Sequence, residues 1–316
     1  MFTVLCVYKT GAAKTPKKKE NTQMKNQTFG VEIELTGITR KDAAKVIATY
    51  YGTESYYAGS GYDTYEAKDR QGRKWKAMSD SSIDAEGRGS EYKCEIVTPV
   101  CKWEDIADIQ EIVRQLRHKG AKANSSCGIH VHVGAERQTA KTLRNLVNIM
   151  TSKEDLIFKA LGVTSSRESR WCKKNDERFV SEINRIKPTD TSAVERLWYN
   201  GSSRSYSHYD GSRYHALNLH SLWQGKGIEF RCFNGTTHAG KIKTYIQLCL
   251  AICYQALTQN AASYRKTQTT NDKYTFRTWL LRLGMIGDEF ETARKWLLEN
   301  LSGDTAFRYG RTRAVA

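Results

Sequence analysis

Three short stretches of this chain alternate apolar residues with groups that bind ions: Phe29 to Leu35 (FGVEIEL), Cys127 to Val133 (CGIHVHV) and Ile228 to Arg231 (IEFR). Successive side chains of an extended strand point to opposite faces. The alternation therefore puts Glu32 beside Glu34, His130 beside His132, and Glu229 beside Arg231. It leaves Val31, Ile33, Leu35, Ile228 and Phe230 for a core. Glutamates two residues apart on a strand sit about 7 Å apart. Two such like charges are unfavourable unless a cation or an arginine neutralises them, and hard divalent cations prefer oxygen ligands of this kind. Taken alone, the pair fits an ordinary exposed sheet face equally well.

Other residues join the set less directly. Cys127 stands three residues before His130, which invites half of a zinc site; Cys94 and Cys101 lie far off in sequence, and no second half is evident. A satisfied structural histidine pair and a role with a hard metal and phosphate remain the other two readings of His130 and His132. Glu95 lies in YKCEIVTP, with Glu91 four residues earlier at the same strand parity. Asp80 and Ser82, in KAMSDSSI, read as turn or surface residues. Arg231 lies between Phe230 and Phe233, so it is expected to be partly buried and to need an anionic partner, whether a ligand or Glu229 itself. Arg213 and Asn218 complete the set. Carboxylates on a sheet that hold two divalent ions, with a histidine and arginines to meet phosphates, would suit phosphoryl transfer. No G-x-x-x-x-G-K-[ST], G-x-G-x-x-G before a helix, G-x-S-x-G or H-E-x-x-H occurs. A nucleotide would thus be held through metal and side chains, and serine hydrolase and zincin chemistry are disfavoured.

The elements that must position these groups follow from periodicity and breakers. The fold is expected to begin near Thr28. A helix from Thr39 to Tyr51 ends at Gly52. A hairpin pairs Tyr62 to Lys68 with Lys74 to Met78, and Ser79 to Ser90 is a loop. A strand from Tyr92 to Thr98 is closed by Pro99. Helices are expected over Trp103 to His118 and Thr139 to Leu161. Gly162 to Ser212 is polar and rich in Ser, Arg and Tyr, which suggests long functional loops with short helices at most. Paired strands over Tyr214 to Leu222 and Gly227 to Asn234 follow. Then come helices over Lys241 to Gln259, Phe276 to Leu283 and Asp288 to Leu301, and a frayed tail from Arg308 to Ala316. Strands joined partly by helices and partly by hairpins argue for an α+β fold with one large antiparallel sheet.

The 316 residues can bury a substantial core in one large domain or two small ones. The formal net charge of +16 favours anionic partners. Part of it is a lysine-rich arm (Lys14, Lys17, Lys18, Lys19, Lys25), expected to be solvated and disordered. Polyanion attachment is the alternative, and no recognisable nucleic-acid motif supports it. Arg167, Arg170, Arg178, Arg185, Arg196 and Arg204 are candidates to close over a substrate, or are plain surface charge. No apolar run of about 18 residues implies a membrane span. The apolar start precedes the lysines, the reverse of a secretory signal. Eight cysteines without regular spacing suit a reducing cytoplasm.

At these motifs the chain resembles the amidoligase family of carboxylate–amine ligases, within the glutamine synthetase and γ-glutamylcysteine synthetase-like fold. The matching elements occur in family order: FGVEIEL, WKAMSDSSI, CEIVTP, CGIHVHV, RYHALNL and IEFRCFNGT, over roughly residues 28 to 260. The resemblance implies a curved antiparallel sheet with flanking helices whose concave face binds ATP and magnesium or manganese. The chain is read as a basic arm over 1–27, a catalytic domain over 28–265 and a helical extension over 266–316, the arm and the extension falling outside the resemblance. By it, Glu32, Glu34, Glu95, His130 and Glu229 are metal ligands and His132 faces the ATP phosphates. Arg231 stabilises the transferring phosphoryl group, and Arg213 and Asn218 contact substrate or phosphate. Glutamine synthetases carry a further glutamate near the position of Glu95, for which Glu91 is the candidate at a different spacing. The implied reaction forms an acyl phosphate and then an amide or isopeptide bond on a peptide, protein or cell-wall-type acceptor. A basic nucleic-acid-binding protein and an inactive ligase-fold scaffold are the competing readings.

Overall fold

The alternating segments pair with one another. In the computed structural model, which describes residues 23–309, eight strands form one sheet. They are β1 (Phe29–Leu35), β2 (Ser55–Gly59), β3 (Thr64–Lys68), β4 (Lys74–Met78), β5 (Cys94–Val97), β6 (Gly128–Val133), β7 (Leu217–Asn218) and β8 (Ile228–Asn234). Their order is β2-β3-β4-β5-β1-β6-β8-β7, and every neighbouring pair is antiparallel. The sheet is thus antiparallel throughout, with helices around it, as the pattern of hairpins and helices suggests.

One face of this sheet is apolar. Phe29, Val31, Ile33 and Leu35 of β1 are buried, as are Trp75 and Ala77 of β4 and Cys94 and Ile96 of β5. Burying each large aliphatic or aromatic side chain here contributes about 1.5–3 kcal/mol. Helix α1 (Arg40–Tyr51) packs on β3 and β4, and the long helix α8 (Ala239–Thr258) packs on β6 and β1. Thr39 caps α1 by accepting the Asp42 N–H at 3.1 Å, and Gly52, at φ 69°, ends it in the left-handed region. Between β1 and α8 in sequence lie α2 (Ile106–His118) and α3 (Ala140–Leu161), both packed against α8. Helices α9 (Asp272–Arg282) and α10 (Glu291–Leu298) extend this helical layer, α10 resting on α8 and α3. No helix among the described residues is long and apolar enough to cross a membrane.

Several elements differ from the sequence reading. Strand β2 was not expected: SYYAG sits on the sheet edge with Tyr56 and Tyr57 exposed, so it shows no buried alternation to detect. The strand expected over Tyr214 to Leu222 shrinks to two residues, because Leu219 turns the backbone into the short helix α7 (His220–Trp223). The stretch from Gly162 to Ser212, expected to be mainly loop, holds three short helices: α4 (Ser165–Trp171), α5 (Glu177–Ile186) and α6 (Thr191–Trp198), each capped by a Thr or Asp accepting a backbone N–H. Lys14, Lys17, Lys18 and Lys19 lie outside the described residues. Lys25 is described and pairs with Glu289 at 2.7 Å.

Strand β8 carries a bulge. Val131 of β6 pairs with Phe230, and Ile129 pairs with Phe233, so three steps on β8 match two on β6. The extra residue returns Phe233 to the apolar side, where it stacks on Tyr245 of α8 at 4.3 Å between ring centroids. Arg231 stays on the opposite face. A bulge that re-aims one side chain beside a site is a recurring device.

Candidate active site

The polar face of the sheet is built by cross-strand register. Glu32 of β1 stands opposite His130 of β6 on one side and Val97 of β5 on the other; Glu34 stands opposite Glu95 of β5. Met78 of β4 pairs with Glu95, which brings Asp80, two residues on, to the same place. His132 of β6 faces Glu229 of β8, and Glu229 faces Asn218 of β7. Residues remote in sequence thus converge on one patch, and the expected ligands Glu32, Glu34, Glu95, His130 and Glu229 lie together.

Distances tie the patch into a chain. His130 Nδ1 lies 3.1 Å from Glu32 Oε2 and 3.7 Å from Glu229 Oε1, while its Nε2 lies 3.7 Å from Glu34 Oε1. His132 Nε2 is 3.2 Å from Glu32 Oε1, outside hydrogen-bond alignment, and its Nδ1 is 3.2 Å from Ser221 Oγ. Glu229 accepts a hydrogen bond from Arg231 and another from Asn218 Nδ2 at 2.6 Å. Asn218 also accepts the His220 N–H, so both ends of its amide orient Glu229 and α7. Glu34, Glu95, His130, Glu229 and Arg231 are each at most 8% exposed.

Burial and neighbours split the carboxylates into two kinds. Burial alone would raise Glu32 and Glu229; His132 and His130 hold Glu32 well below the ordinary range, and Arg231 with the two histidines brings Glu229 down to about 2. Burial raises Glu34, and it raises Glu95 far more, with Glu32, Glu34 and Asp80 adding like-charge repulsion. Burial works against the charged form of His132, yet Glu32 and Glu229 overcome it and raise its basicity. Arg231 is pushed above its ordinary value despite burial, chiefly by Glu229 and Glu32. The patch therefore carries more negative charge than its own cations neutralise.

That excess fits a divalent cation. Three donor groups bring ligand atoms within 4.8 Å of one another: Glu32, His132 and Glu229; Glu32, Glu95 and His130; Glu34, Asp80 and Glu95. They consist of carboxylate oxygens with at most one imidazole and no thiolate, which suits magnesium or manganese better than a structural zinc site. The half-zinc reading of Cys127 finds no support: its thiol is buried and lies 3.5 Å from Asn124 Oδ1, in none of the groups. Asp80, read as a turn residue, is a member. Glu91 is not: a 3-10 turn over Ser90–Tyr92 precedes β5, so strand parity does not carry back to Glu91, which is exposed.

Beside the patch opens a cavity of about 830 Å³, floored by Glu32, Glu95, His132 and Asp80. Its walls include Lys76, Arg213 and Lys226. Arg213 packs its guanidinium against Tyr209 and Tyr214, at 5.7 and 5.8 Å from the ring centroids. Across the mouth, Tyr62 from the β2–β3 turn meets Tyr209 at 2.7 Å between hydroxyls. None of the six arginines expected to close over a substrate lines this cavity. Arg185 pairs with Glu182, Arg204 with Asp210, and Arg167 is buried beneath the patch.

Residues 25–253 match the family described as "Putative amidoligase enzyme". No curated protein sequence matches the chain. Among solved structures, it is similar to the crystal structure of a bifunctional glutathione synthetase from Pasteurella multocida, at 14% identity and a TM-score of 0.39. That match covers 90% of this chain and 48% of the other, so the chain spans about half the length of that protein.

Proposed function

The chain belongs to the amidoligase family, and from that premise we propose that it is an ATP-dependent carboxylate–amine ligase working through an acyl phosphate. The observation that carries this reading is the buried acidic patch running from Asp80 across β5, β1 and β6 to Glu229, beside Arg231 and open to one cavity. In this reading Glu32, Glu34, Glu95, His130 and Glu229, joined by Asp80, hold magnesium or manganese. When bound, the divalent cations neutralise phosphate charge and orient the nucleotide.

The chain's own groups supply the rest. In this reading His132, made more basic by Glu32 and Glu229 against the effect of burial, faces phosphate oxygens. Arg231 has one guanidinium N–H, at Nε, buried and without a hydrogen-bond partner among the described residues; in this reading Arg231 meets the charge of the transferring group. Arg213 stands on the cavity wall as a further anion contact, and Asn218 fixes Glu229. The donor carboxylate attacks the terminal phosphorus, ADP leaves, and an amine then displaces phosphate from the acyl phosphate. Positioning and charge neutralisation account for most of the rate in such transfers. The acceptor in this reading is an amine on a peptide, protein or cell-wall-type substrate.

We also propose the glutamine synthetase-like curvature for the sheet, with catalysis confined to 28–265 and the arm and the last helices as accessories. Seven described cysteines, all buried and free, suit a reducing cytoplasm. The acidic cavity floor works against the nucleic-acid reading, since it repels a phosphate backbone when no cation is bound. The test is oxygen transfer. With an ¹⁸O-labelled carboxylate, an amine acceptor, ATP and Mg²⁺, one labelled oxygen is expected in the phosphate that the amine displaces, together with ADP. Formation of AMP and pyrophosphate, or failure of the protein to bind nucleotide with metal, would overturn the proposal.

A further inference from the structure

Beneath the acidic patch lies a buried cation that the reaction outlined above does not use. Arg167, on α4, is 7% exposed and has no carboxylate ion-pair partner among the described residues. Holding a guanidinium out of water is costly unless it is engaged. Arg167 engages two backbone carbonyls: Nη1 donates to Cys127 O at 3.1 Å and Nη2 to Phe233 O at 3.0 Å. These carbonyls belong to the start of β6 and the end of β8, just past the bulge that carries Arg231. Cys127 O also accepts the Gly235 N–H at 2.9 Å. The fork therefore ties the two strands together where both turn away from the patch.

The next residue is Gly128. Its N–H donates to Glu34 Oε2 at 2.5 Å, leaving Oε1 to face His130 and the other carboxylates. Its Cα lies so close to Arg167 that a side chain there would collide with Nη2 and press on His130 Nε2. A glycine is required at this position by close approach, not by a left-handed backbone. The sequence of contacts runs from Arg167 to the Cys127 carbonyl, to the Gly128 N–H, to Glu34.

We propose that Arg167 is a positioning residue for the cation site: by clamping the entry of β6 it fixes the Gly128 N–H, which sets the Glu34 carboxylate toward Asp80 and Glu95. This rests on the reading of the acidic patch as a divalent-cation site. A lysine cannot reproduce the fork, since one ammonium does not span two carbonyls in a fixed plane. Arg167→Lys keeps the charge and loses the geometry.

The experiment is titration with Mn²⁺ alone, followed by the loss of the free-ion electron paramagnetic resonance signal. Glu34→Gln first identifies the class of bound Mn²⁺ that depends on Glu34. Arg167→Lys is expected to weaken that same class about 10–100-fold, the usual effect of removing a partner that orients a ligand, and to leave the other Mn²⁺ unchanged. Asn145→Ala serves as a control for general destabilisation, because Asn145 is a buried staple of the helical layer, bonded to Ala256 O and Gln259 O. Equal binding by wild type and Arg167→Lys, or weakening no different from that in Asn145→Ala, would overturn the proposal. Should Arg167→Lys fail to fold, Arg167→Gln, whose amide can donate to only one of the two carbonyls, takes its place; the same selective loss is expected, and unchanged binding by that variant would count against the role. If wild type binds no Mn²⁺, the cation-site reading itself fails, a result distinct from failure of the Arg167 role.

Discussion

Two parts of one sheet face carry the same alternation of charged and apolar residues and come to opposite ends. On β3, Glu66 is 7% exposed; on β5, Glu95 is 8% exposed. Glu66 lies toward the sheet edge, accepts the Tyr56 hydroxyl at 2.5 Å and pairs with Lys74 at 2.9 Å. Burial pushes its carboxyl up, but these two partners prevail and bring it below the ordinary value. Glu95 sits at mid-sheet, where burial, Glu32, Glu34 and Asp80 all push it up, and Arg231 opposes them without prevailing. Alternation alone does not separate a structural carboxylate from a candidate ligand. The local surplus of one sign of charge does.

The comparison breaks most visibly at Arg231, the main cation of the central patch. Arg231→Ala is expected to lower ADP formation by about 10³-fold or more, on the scale of lost phosphoryl-stabilising arginines. The Arg231→Lys variant should recover folding better than activity, since it keeps Glu229 paired.

Next in size is Glu95→Gln. It should lower Mg²⁺-dependent turnover by about 100-fold while raising the melting temperature of the metal-free protein, because it removes a buried like charge. Saturating Mg²⁺ should stabilise wild type more than this variant, as linkage requires when the folded state binds the ion less tightly.

The pH profile of metal-free stability sharpens the contrast. Glu229 has a folded value near 2 against an ordinary 4.5, so its contribution is present above 4.5 and is lost as pH falls toward 2. Glu95 is the reverse: its folded value is raised, so stability falls as pH rises from 4.5 through that higher value. Denaturant melts across pH should therefore show a maximum at mildly acidic pH, and Glu95→Gln should remove much of the decline on the alkaline side.

The smallest effect belongs to the edge. Glu66→Gln should cost about 0.2–1 kcal/mol in urea melts, as for a partly exposed pair, and leave turnover unchanged. A large loss of activity there would erase the distinction between the two regions.

Much of the patch was legible from sequence because strand parity is local. Glu32, Glu34, His130, His132, Glu229 and Arg231 declare their face within four to seven residues of chain, and so did Glu95. What escaped depends on long-range pairing. Asp80 follows β4 in a loop, and only the pairing of Met78 with Glu95 brings it to the patch. Arg167 looked like one of many loop arginines, because nothing local marks a fork that reaches carbonyls 40 and 66 residues away. Glu91 failed for the opposite reason, since a turn interrupts the parity that recommended it. The helices α4 to α6 are short and polar on their outer sides, so their capping residues were the clearer signal. The bulge in β8 left only one trace, two phenylalanines flanking Arg231 at spacings that no regular strand would put on one face.

The most direct test is a crystal grown with Mn²⁺ and a non-hydrolysable ATP analogue, read by anomalous scattering. Manganese peaks are expected within about 2.0–2.4 Å of oxygens from Glu32, Glu34, Glu95 and Glu229, bridging to the analogue's phosphates with Arg231 alongside. Nucleotide bound elsewhere, or metal absent from the mid-sheet carboxylates while Arg231 stays paired only with Glu229, would contradict the account.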